Sequence, residues 1–184
     1  LDLGGGFGID YTMKNSVNYK SFSKALNEVF KNNEFQLSIE PGRSLIAESG
    51  VLLTKVIRTK STNYKNFLIV DAAMNNLIRP TLYNAIHSIQ PLKIKSDRSS
   101  KKYDIVGPIC ETGDFLGIDF NLQETKKNEV LAIMTCGAYG SVMRSNYNSR
   151  PSAAEVFILN NKEILLRKRE KIDQLLNLDI IPNF

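Results

Sequence analysis

The stretch VLLTKVIRTKSTNYKNFLIVDA, residues 51–72, marks the point where the pattern of the sequence changes. Its first ten residues are rich in β-branched side chains, and a second apolar run follows, Phe67-Leu68-Ile69-Val70. Two such runs on either side of a polar turn around Asn63 predict two β-strands. The sequence on the two sides of this stretch follows different patterns.

The N-terminal side, residues 1–50, alternates strands with helices. Leu1-Asp2-Leu3 has the character of a strand end, and residues 16–33 place apolar side chains at helical spacing behind a capping Ser16. Residues 35–39 alternate like a strand, and residues 44–50 predict one or two further helical turns. This alternation is typical of a parallel sheet or an α/β barrel.

The C-terminal side, residues 51–184, is dominated by strands. Beyond the opening pair, strands are predicted near 86–95, 102–109, 129–136 and 154–159, with a short helix or loop over 74–84. A charged helix is predicted at about 162–177. The predicted fold class is therefore α/β plus β: the C-terminal end of an α/β barrel (1–50), packed closely on a mostly antiparallel β-domain (51–184).

The first residues of the chain read as the last residues of a buried strand, whose neighbouring strands must come from elsewhere. We therefore expect the chain to be the C-terminal part of a longer protein. The alternative is that a preceding segment exists and is simply not included in the sequence.

Composition narrows the class of protein. The 184 residues are 42% hydrophobic and 23% charged, which suits a folded globular chain and argues against a disordered or fibrous one. The net charge of +5 is scattered, so solvated surface is favoured over nucleic-acid binding. No apolar run approaches the length of a membrane span, and two cysteines without a disulfide framework favour a cytoplasmic location.

Two glycine-containing motifs follow predicted strands. Gly4-Gly5-Gly6-Phe7-Gly8 can form either a tight structural turn or a loop whose backbone N–H groups face a phosphate. Glu40-Pro41-Gly42-Arg43 can be a surface turn with an ion pair, or it can place Arg43 toward an anion and Glu40 toward a cationic ring nitrogen. In α/β folds, ligands bind at this edge of the sheet.

Three further motifs lie in the β-domain. Arg79 and Tyr83 share a helical face and could clamp a carboxylate, or they could be a solvated Arg beside a packed Tyr. Cys110-Glu111-Thr112-Gly113-Asp114 lies between strands, where Cys110 is either structural or reactive. Gly137-Ala138-Tyr139-Gly140 ends a strand after Cys136, which we expect to pack in the core. One His and two separated Cys give no recognised metal-binding spacing, so no metal site is predicted.

The order of these five motifs resembles the C-terminal part of the bacterial diaminopimelate decarboxylase family. This family belongs to the fold-type III, or alanine-racemase-like, enzymes that use pyridoxal 5'-phosphate. The resemblance extends from Gly4 to about Glu155. It implies an N-terminal α/β barrel, a C-terminal β-domain and an active site shared across a homodimer interface.

The resemblance also implies roles for residues of the N-terminal part. Gly4, Gly5 and Gly6 would cradle the cofactor phosphate, and Glu40 would pair with the protonated ring nitrogen. Gly42 and Arg43 would line the phosphate and substrate region.

In the β-domain, the resemblance implies that Arg79 and Tyr83 hold the far carboxylate of the substrate and that Tyr139 contacts the cofactor and the substrate. Cys110 and Glu111 would reach into the site of the partner subunit. There Glu111 would hold the distal amino group, and Cys110 would be the acid that protonates Cα.

The implied reaction is decarboxylation of meso-2,6-diaminopimelate to L-lysine and carbon dioxide, a step of lysine biosynthesis. The lysine that carries the cofactor in this family lies earlier in the barrel, and no lysine of this chain matches it, so we expect the chain alone to be inactive. Two alternatives remain open: a fragment of a related ornithine- or arginine-type decarboxylase, and a non-catalytic dimerising remnant.

Overall fold

The computed structural model describes residues 1–15, 17–31, 34–177 and 179–182. Its N-terminal part contains helix α1 (Tyr19–Val29) and helix α2 (Arg43–Ile46), which a 3₁₀ turn at Ala47–Ser49 extends. The helical turns predicted over 44–50 are thus confirmed. Asn18 caps α1 by accepting a hydrogen bond from Ser21 N at 3.0 Å. The predicted cap Ser16 lies outside the described residues, as do two of the last predicted helix residues, Asn32 and Asn33.

The two strands predicted near the N-terminus, at residues 1–3 and 35–39, form little regular structure. Asp2 and Ser38 form a single parallel bridge, with Leu3 N donating to Ser38 O at 3.0 Å. The strand predicted over 35–39 is therefore reduced to one bridge. A strand with one short neighbour has few ladder hydrogen bonds to extend it.

Strands β1 (Leu52–Ser61) and β2 (Asn66–Val70) are the two predicted from residues 51–72, and they pair as an antiparallel hairpin. Helix α3 (Arg79–Tyr83) follows, and then strands β3 (Ile89–Pro91), β4 (Ser100–Val106), β5 (Phe115–Gln123) and β6 (Val130–Ile133). Strand β5 was not predicted, because its Gly117 and Asp119 disrupt the apolar pattern of a strand.

The six strands form one sheet in the order β3-β6-β1-β2-β4-β5. All neighbours are antiparallel except β2 and β4, which confirms the mostly antiparallel prediction. A Cβ added to Gly117 on β5 would lie 3.2 Å from Ile89 Cδ1 on β3. The two edge strands therefore approach each other, and the sheet curls into a nearly closed barrel.

The core lies inside this curled sheet. Alternate residues of the central strands point inward, so Val56 on β1 and Leu68 on β2 are fully buried. The buried apolar cluster also contains Val70, Ala72, Leu77, Ile89, Tyr103, Ile105, Leu116, Leu122, Leu131 and Ile133. Cys136 packs against this cluster, as predicted, and burial raises the pKa of its thiol to about 12.

The prediction of a helix over residues 162–177 is wrong. Strands β7 (Glu155–Leu159) and β8 (Lys162–Arg167) form a separate hairpin, and only Ile172–Leu176 is helical, as α4. Asn160 and Asn161 have φ values of 50° and 60°, which build a two-residue turn of the kind favoured in hairpins. That turn places residues 162–167 beside β7, so strand pairing overrides the helical spacing of their apolar side chains.

Candidate functional site

The glycine loop and the Glu40 turn lie side by side. Glu40 N donates to Gly4 O at 2.8 Å, two residues along each segment from the Asp2–Ser38 bridge. Because the segments are parallel, their carboxyl ends meet at the same edge. Both motifs that the sequence placed at strand ends therefore share one site.

Glycine is required in this loop for two physical reasons. Gly4 and Gly6 have φ values of 70° and 95°, in the left-handed region where a side chain is strained. A Cβ on Gly5 would lie 2.8 Å from Glu40 O, too close to be accommodated. Gly5 and Gly6 are exposed, so the loop offers bare backbone to a ligand. Gly4 N donates to Asp2 Oδ1 at 2.7 Å, so Gly5 and Gly6 carry the N–H groups that can face a phosphate.

The segment that begins at Arg43 is fastened to the loop that carries Tyr139. Gly137 N donates to Ala47 O at 2.9 Å, and Cys136 N donates to Gly50 O at 2.8 Å. Arg43, half-buried, stands at the first position of α2, with Gly42 as its N-cap residue. The structure thus ties the Arg43 region to the Tyr139 loop.

Arg79 lies at the centre of three tyrosine rings. Its Cζ is 5.3 Å from the ring centroid of Tyr11, 5.2 Å from that of Tyr83 and 5.5 Å from that of Tyr139, distances of cation–π contact. Arg79 is only 8% exposed, and its Nε has no hydrogen-bond partner among the described residues. These rings and Arg79 are called the tyrosine cage below. A buried cation in this position is suited to bind an anion.

Two members of this region, Tyr11 and His87, were not among the predicted site residues. Tyr11 belongs to the segment after the glycine loop, and its ring packs edge-on against His87 with centroids 4.7 Å apart. His87 is fully buried, and its Nδ1 lies 2.9 Å from Met134 O. Burial lowers the pKa of His87, so the ring is neutral near pH 7. The only available signal was that His87 is the single histidine of the chain.

A turn built around Asp10 delivers Tyr11 to the cage. The Asp10 carboxylate accepts hydrogen bonds from Thr12 N at 2.8 Å, Asn15 N at 2.8 Å and Lys14 N at 3.0 Å. These bonds, led by that of the Thr12 hydroxyl, hold the pKa of Asp10 well below its usual range. Asp10 is therefore ionised and anchors the turn at neutral pH.

Cys110 and Glu111 lie on a loop held by Asp114. The buried Asp114 carboxylate accepts hydrogen bonds from Met74 N and Ile109 N, each at 2.7 Å. Thr81 Oγ1 of α3 donates to Gly113 O at 2.5 Å, so the loop rests on the helix that begins with Arg79.

At the tip of this loop, both candidate residues are open to solvent. Cys110 is exposed and free, and Glu111 Oε2 accepts a hydrogen bond from Tyr147 Oη at 3.3 Å. Within the part of the chain described, no hydrogen bond joins either residue to the glycine loop. His87 lies beside the other thiol, with Nδ1 3.9 Å from Cys136 Sγ.

The structure thus brings the predicted site residues together in three groups. Gly4, Gly5, Gly6 and Glu40 form one edge, and Arg43 connects through Gly137 to the Tyr139 loop. Arg79, Tyr83 and Tyr139 form the cage with the unpredicted Tyr11. Cys110 and Glu111 lie exposed on the loop that Asp114 holds. Among the described residues, no cluster of three or more potential metal ligands occurs, and no helix is long and apolar enough to cross a membrane.

Comparison with known proteins defines the class. Residues 11–137 match the family described as pyridoxal-dependent decarboxylase, C-terminal sheet domain. The chain belongs to this family, and its six-stranded sheet is that domain.

Individual relatives show which members of this family the chain resembles. The chain is 45% identical over 183 residues to the diaminopimelate decarboxylase of Aquifex aeolicus, covering 98% of this chain and 43% of the relative. The structure of diaminopimelate decarboxylase from Helicobacter pylori complexed with L-lysine matches at 38% identity with a TM-score of 0.86, covering 96% of this chain and 43% of that one. The structure of diaminopimelate decarboxylase from M. jannaschii matches at 36% identity with a TM-score of 0.91, covering 98% of this chain and 43% of that one. The chain therefore spans less than half the length of these relatives.

Proposed function

We propose that this chain forms the sheet-domain part of a pyridoxal-phosphate-dependent decarboxylase that converts meso-2,6-diaminopimelate to L-lysine and carbon dioxide. The observation that carries the proposal is the tyrosine cage, in which the Nε of a buried arginine has no hydrogen-bond partner among the described residues. The similarity to diaminopimelate decarboxylases over 98% of the chain supports the same reaction.

The cofactor fits the edge formed by the glycine loop and the Glu40 turn. Gly5 and Gly6 would hold its phosphate with backbone N–H groups, and Gly4, whose N–H donates to Asp2 Oδ1 at 2.7 Å, would shape the loop. Arg43 and Gly42 would line the phosphate and substrate region. Glu40 would face the ring nitrogen and hold a proton there. When bound, pyridoxal 5'-phosphate accepts the electrons left on Cα as carbon dioxide departs.

The substrate is held at its far end by the β-domain. Arg79 presents a planar array of donors to the far carboxylate, and Tyr83 stands beside it. Tyr139 would contact both the cofactor and the substrate. Since the cage rings exclude water from Arg79, a carboxylate bound there is attracted more strongly than in solvent.

Cys110 and Glu111 would complete the site of a partner subunit in a homodimer. Glu111 would bind the distal ammonium group, and the Cys110 Sγ would deliver a proton to Cα. Their exposure at the tip of the loop supports this arrangement. The free cysteines accord with a cytoplasmic location.

Residues 1–50 would be the last strands and helices of an α/β barrel, and residues 51–184 the β-domain. The Asp2–Ser38 parallel bridge supports the barrel assignment. We further propose that this chain alone does not decarboxylate, because the cofactor-carrying lysine of the family has no match among its residues.

The direct test uses a joined protein, in which this chain follows the part of the Aquifex aeolicus relative that it does not span. We expect carbon dioxide release and L-lysine formation with meso-2,6-diaminopimelate, and none with the chain alone. Turnover with ornithine or arginine instead would transfer the assignment to a related decarboxylase. No turnover with any of the three would favour a non-catalytic dimerising module.

A matched pair of variants of the joined protein tests the cofactor edge. Glu40→Gln removes the charge proposed to face the ring nitrogen, whereas Glu48→Gln removes an exposed carboxylate of the following 3₁₀ turn. We expect kcat to fall roughly ten- to a hundredfold for Glu40→Gln, as for the loss of a charged hydrogen bond. Equal activities of the two variants would contradict the role of Glu40.

A further inference from the structure

Tyr11 differs from the other two rings of the tyrosine cage in where its hydroxyl lies. Tyr83 and Tyr139 are 56% and 45% exposed, so both side chains are open to solvent. The Tyr11 Oη is buried and has no hydrogen-bond partner among the described residues. A buried hydroxyl without a partner is unfavourable and requires an explanation.

The Tyr11 side chain is held in place by contacts on several sides. The backbone carbonyl of Tyr11 accepts a hydrogen bond from Ser88 N at 2.8 Å, which fixes the main chain. The Tyr11 ring packs against His87 and against the Arg79 guanidinium. The unpartnered hydroxyl is therefore part of an ordered cluster.

Two unpartnered polar groups thus occur within one cage. Arg79 Nε–H can only donate, and the Tyr11 hydroxyl can donate its proton. The guanidinium lies over the Tyr11 ring, 5.3 Å from its centroid, and neither group bonds to the other. A ligand oxygen with negative charge can accept from both groups, whereas an ammonium group can accept from neither. A ligand group that pairs with both must therefore accept hydrogen bonds, as the carboxylate proposed to bind at Arg79 does.

We propose that Tyr11 is a specificity-determining residue, whose hydroxyl is the second donor to the carboxylate bound at Arg79. This inference rests on the proposed function, in which Arg79 binds the far carboxylate of the substrate. Tyr11 follows the glycine loop in the chain, so one short segment serves both ends of the site. The Tyr11 hydroxyl thereby favours substrates that carry a carboxylate at the end remote from the reacting carbon.

The test compares two ligands and two variants in the joined protein loaded with cofactor. L-Lysine carries the carboxylate, and 1,5-diaminopentane is the same molecule without it. Tyr11→Phe removes only the buried hydroxyl, and Tyr64→Phe removes the hydroxyl of a tyrosine that is 95% exposed. Dissociation constants for both ligands, measured by calorimetry, give the ratio that isolates the carboxylate.

We expect Tyr11→Phe to weaken L-lysine binding roughly tenfold or more and to leave 1,5-diaminopentane binding within twofold, because a hydrogen bond to a charged group is lost. With meso-2,6-diaminopimelate, KM should rise by a similar factor at nearly constant kcat. Without ligand, the Tm of Tyr11→Phe should equal or exceed that of the parent, since an unpartnered buried hydroxyl is removed. Tyr64→Phe should match the parent throughout.

An unchanged ratio of the two dissociation constants in Tyr11→Phe would overturn the inference, as would an equal loss of affinity for both ligands. A lowered ligand-free Tm with an unchanged ratio would assign Tyr11 a purely structural role. These outcomes are separate from failure of the proposed function, which would appear in the parent joined protein as no L-lysine binding and no turnover.

Discussion

Gly50 and Gly137 face each other so closely that a Cβ on Gly50 would lie 2.4 Å from Gly137 Cα. A Cβ on Gly137 would lie only 2.0 Å from Ile46 O. This approach lets the end of the Arg43 segment hydrogen-bond to the loop that carries Tyr139. Two glycines therefore fasten the cofactor edge of the proposed site to its β-domain.

Gly137→Ala should lower the free energy of unfolding by about 1–3 kcal/mol, because the added methyl group meets backbone that cannot move aside. Gly8→Ala is the matched control, since nothing lies within 4 Å of the position its Cβ would take. Urea unfolding of both variants measures the difference. Equal stabilities would show that the two segments separate without cost.

Asp114→Asn should destabilise the protein by about 1–3 kcal/mol. The carboxylate accepts hydrogen bonds from two backbone N–H groups, and the amide that replaces it has one oxygen, so one of the two N–H groups loses its partner. Asp97→Asn, at an exposed aspartate, should change stability by no more than about 0.5 kcal/mol. The comparison is made by urea unfolding at pH 7. A loss no larger than that of the control would mean that Asp114 does not hold the Cys110 loop.

Arg79→Lys in the joined protein should weaken L-lysine binding roughly ten- to a hundredfold, because an ammonium group cannot present the planar pair of donors that a carboxylate accepts. Arg58→Lys, an exposed residue of β1, is the control and should bind as the parent does. Calorimetry gives both constants. Parent-like binding by Arg79→Lys would remove the cage from the substrate site.

Stability should decrease as the pH falls below about 6.5, because of His87. Burial, with a smaller contribution from Arg79, lowers the pKa of His87 below 6.5 in the folded chain, while a backbone hydrogen bond to Met134 opposes the shift. The unfolded chain then binds a proton that the folded chain does not, so the free energy of unfolding rises with pH between the two pKa values, by at most about 1.4 kcal/mol per pH unit. Above the unfolded pKa, this dependence vanishes.

Two measurements check this dependence. The chain has one histidine, so a single imidazole Hε1 resonance reports its titration directly, and it should not titrate near pH 6.5 in the folded protein. In urea unfolding, His87→Gln should remove the slope that the parent shows just below this pH. A folded-state titration at the ordinary value, or an unchanged slope in the variant, would contradict the prediction.

Local patterns in the sequence predicted the elements whose formation depends on neighbouring residues. The β-branched run after Gly50 forms β1 and the Phe67–Val70 run forms β2, while residues 74–84, predicted as a short helix or a loop, contain α3. These predictions succeeded because side-chain alternation and turn residues act over a few positions. The helix predicted over 162–177 failed because Asn160 and Asn161 form a tight turn that gives residues 162–167 a strand partner.

The sequence by itself determined where the glycine loop, the Glu40 turn and the Arg79 helix lie along the chain, because these depend on backbone freedom and local spacing. Only the tertiary structure decided that Tyr11 packs against both His87 and Arg79, and that Asp114 supports the Cys110 loop. Such contacts join residues from distant parts of the chain, and the curl of the sheet sets them. A cation buried among three tyrosine rings exists only once those parts have packed together.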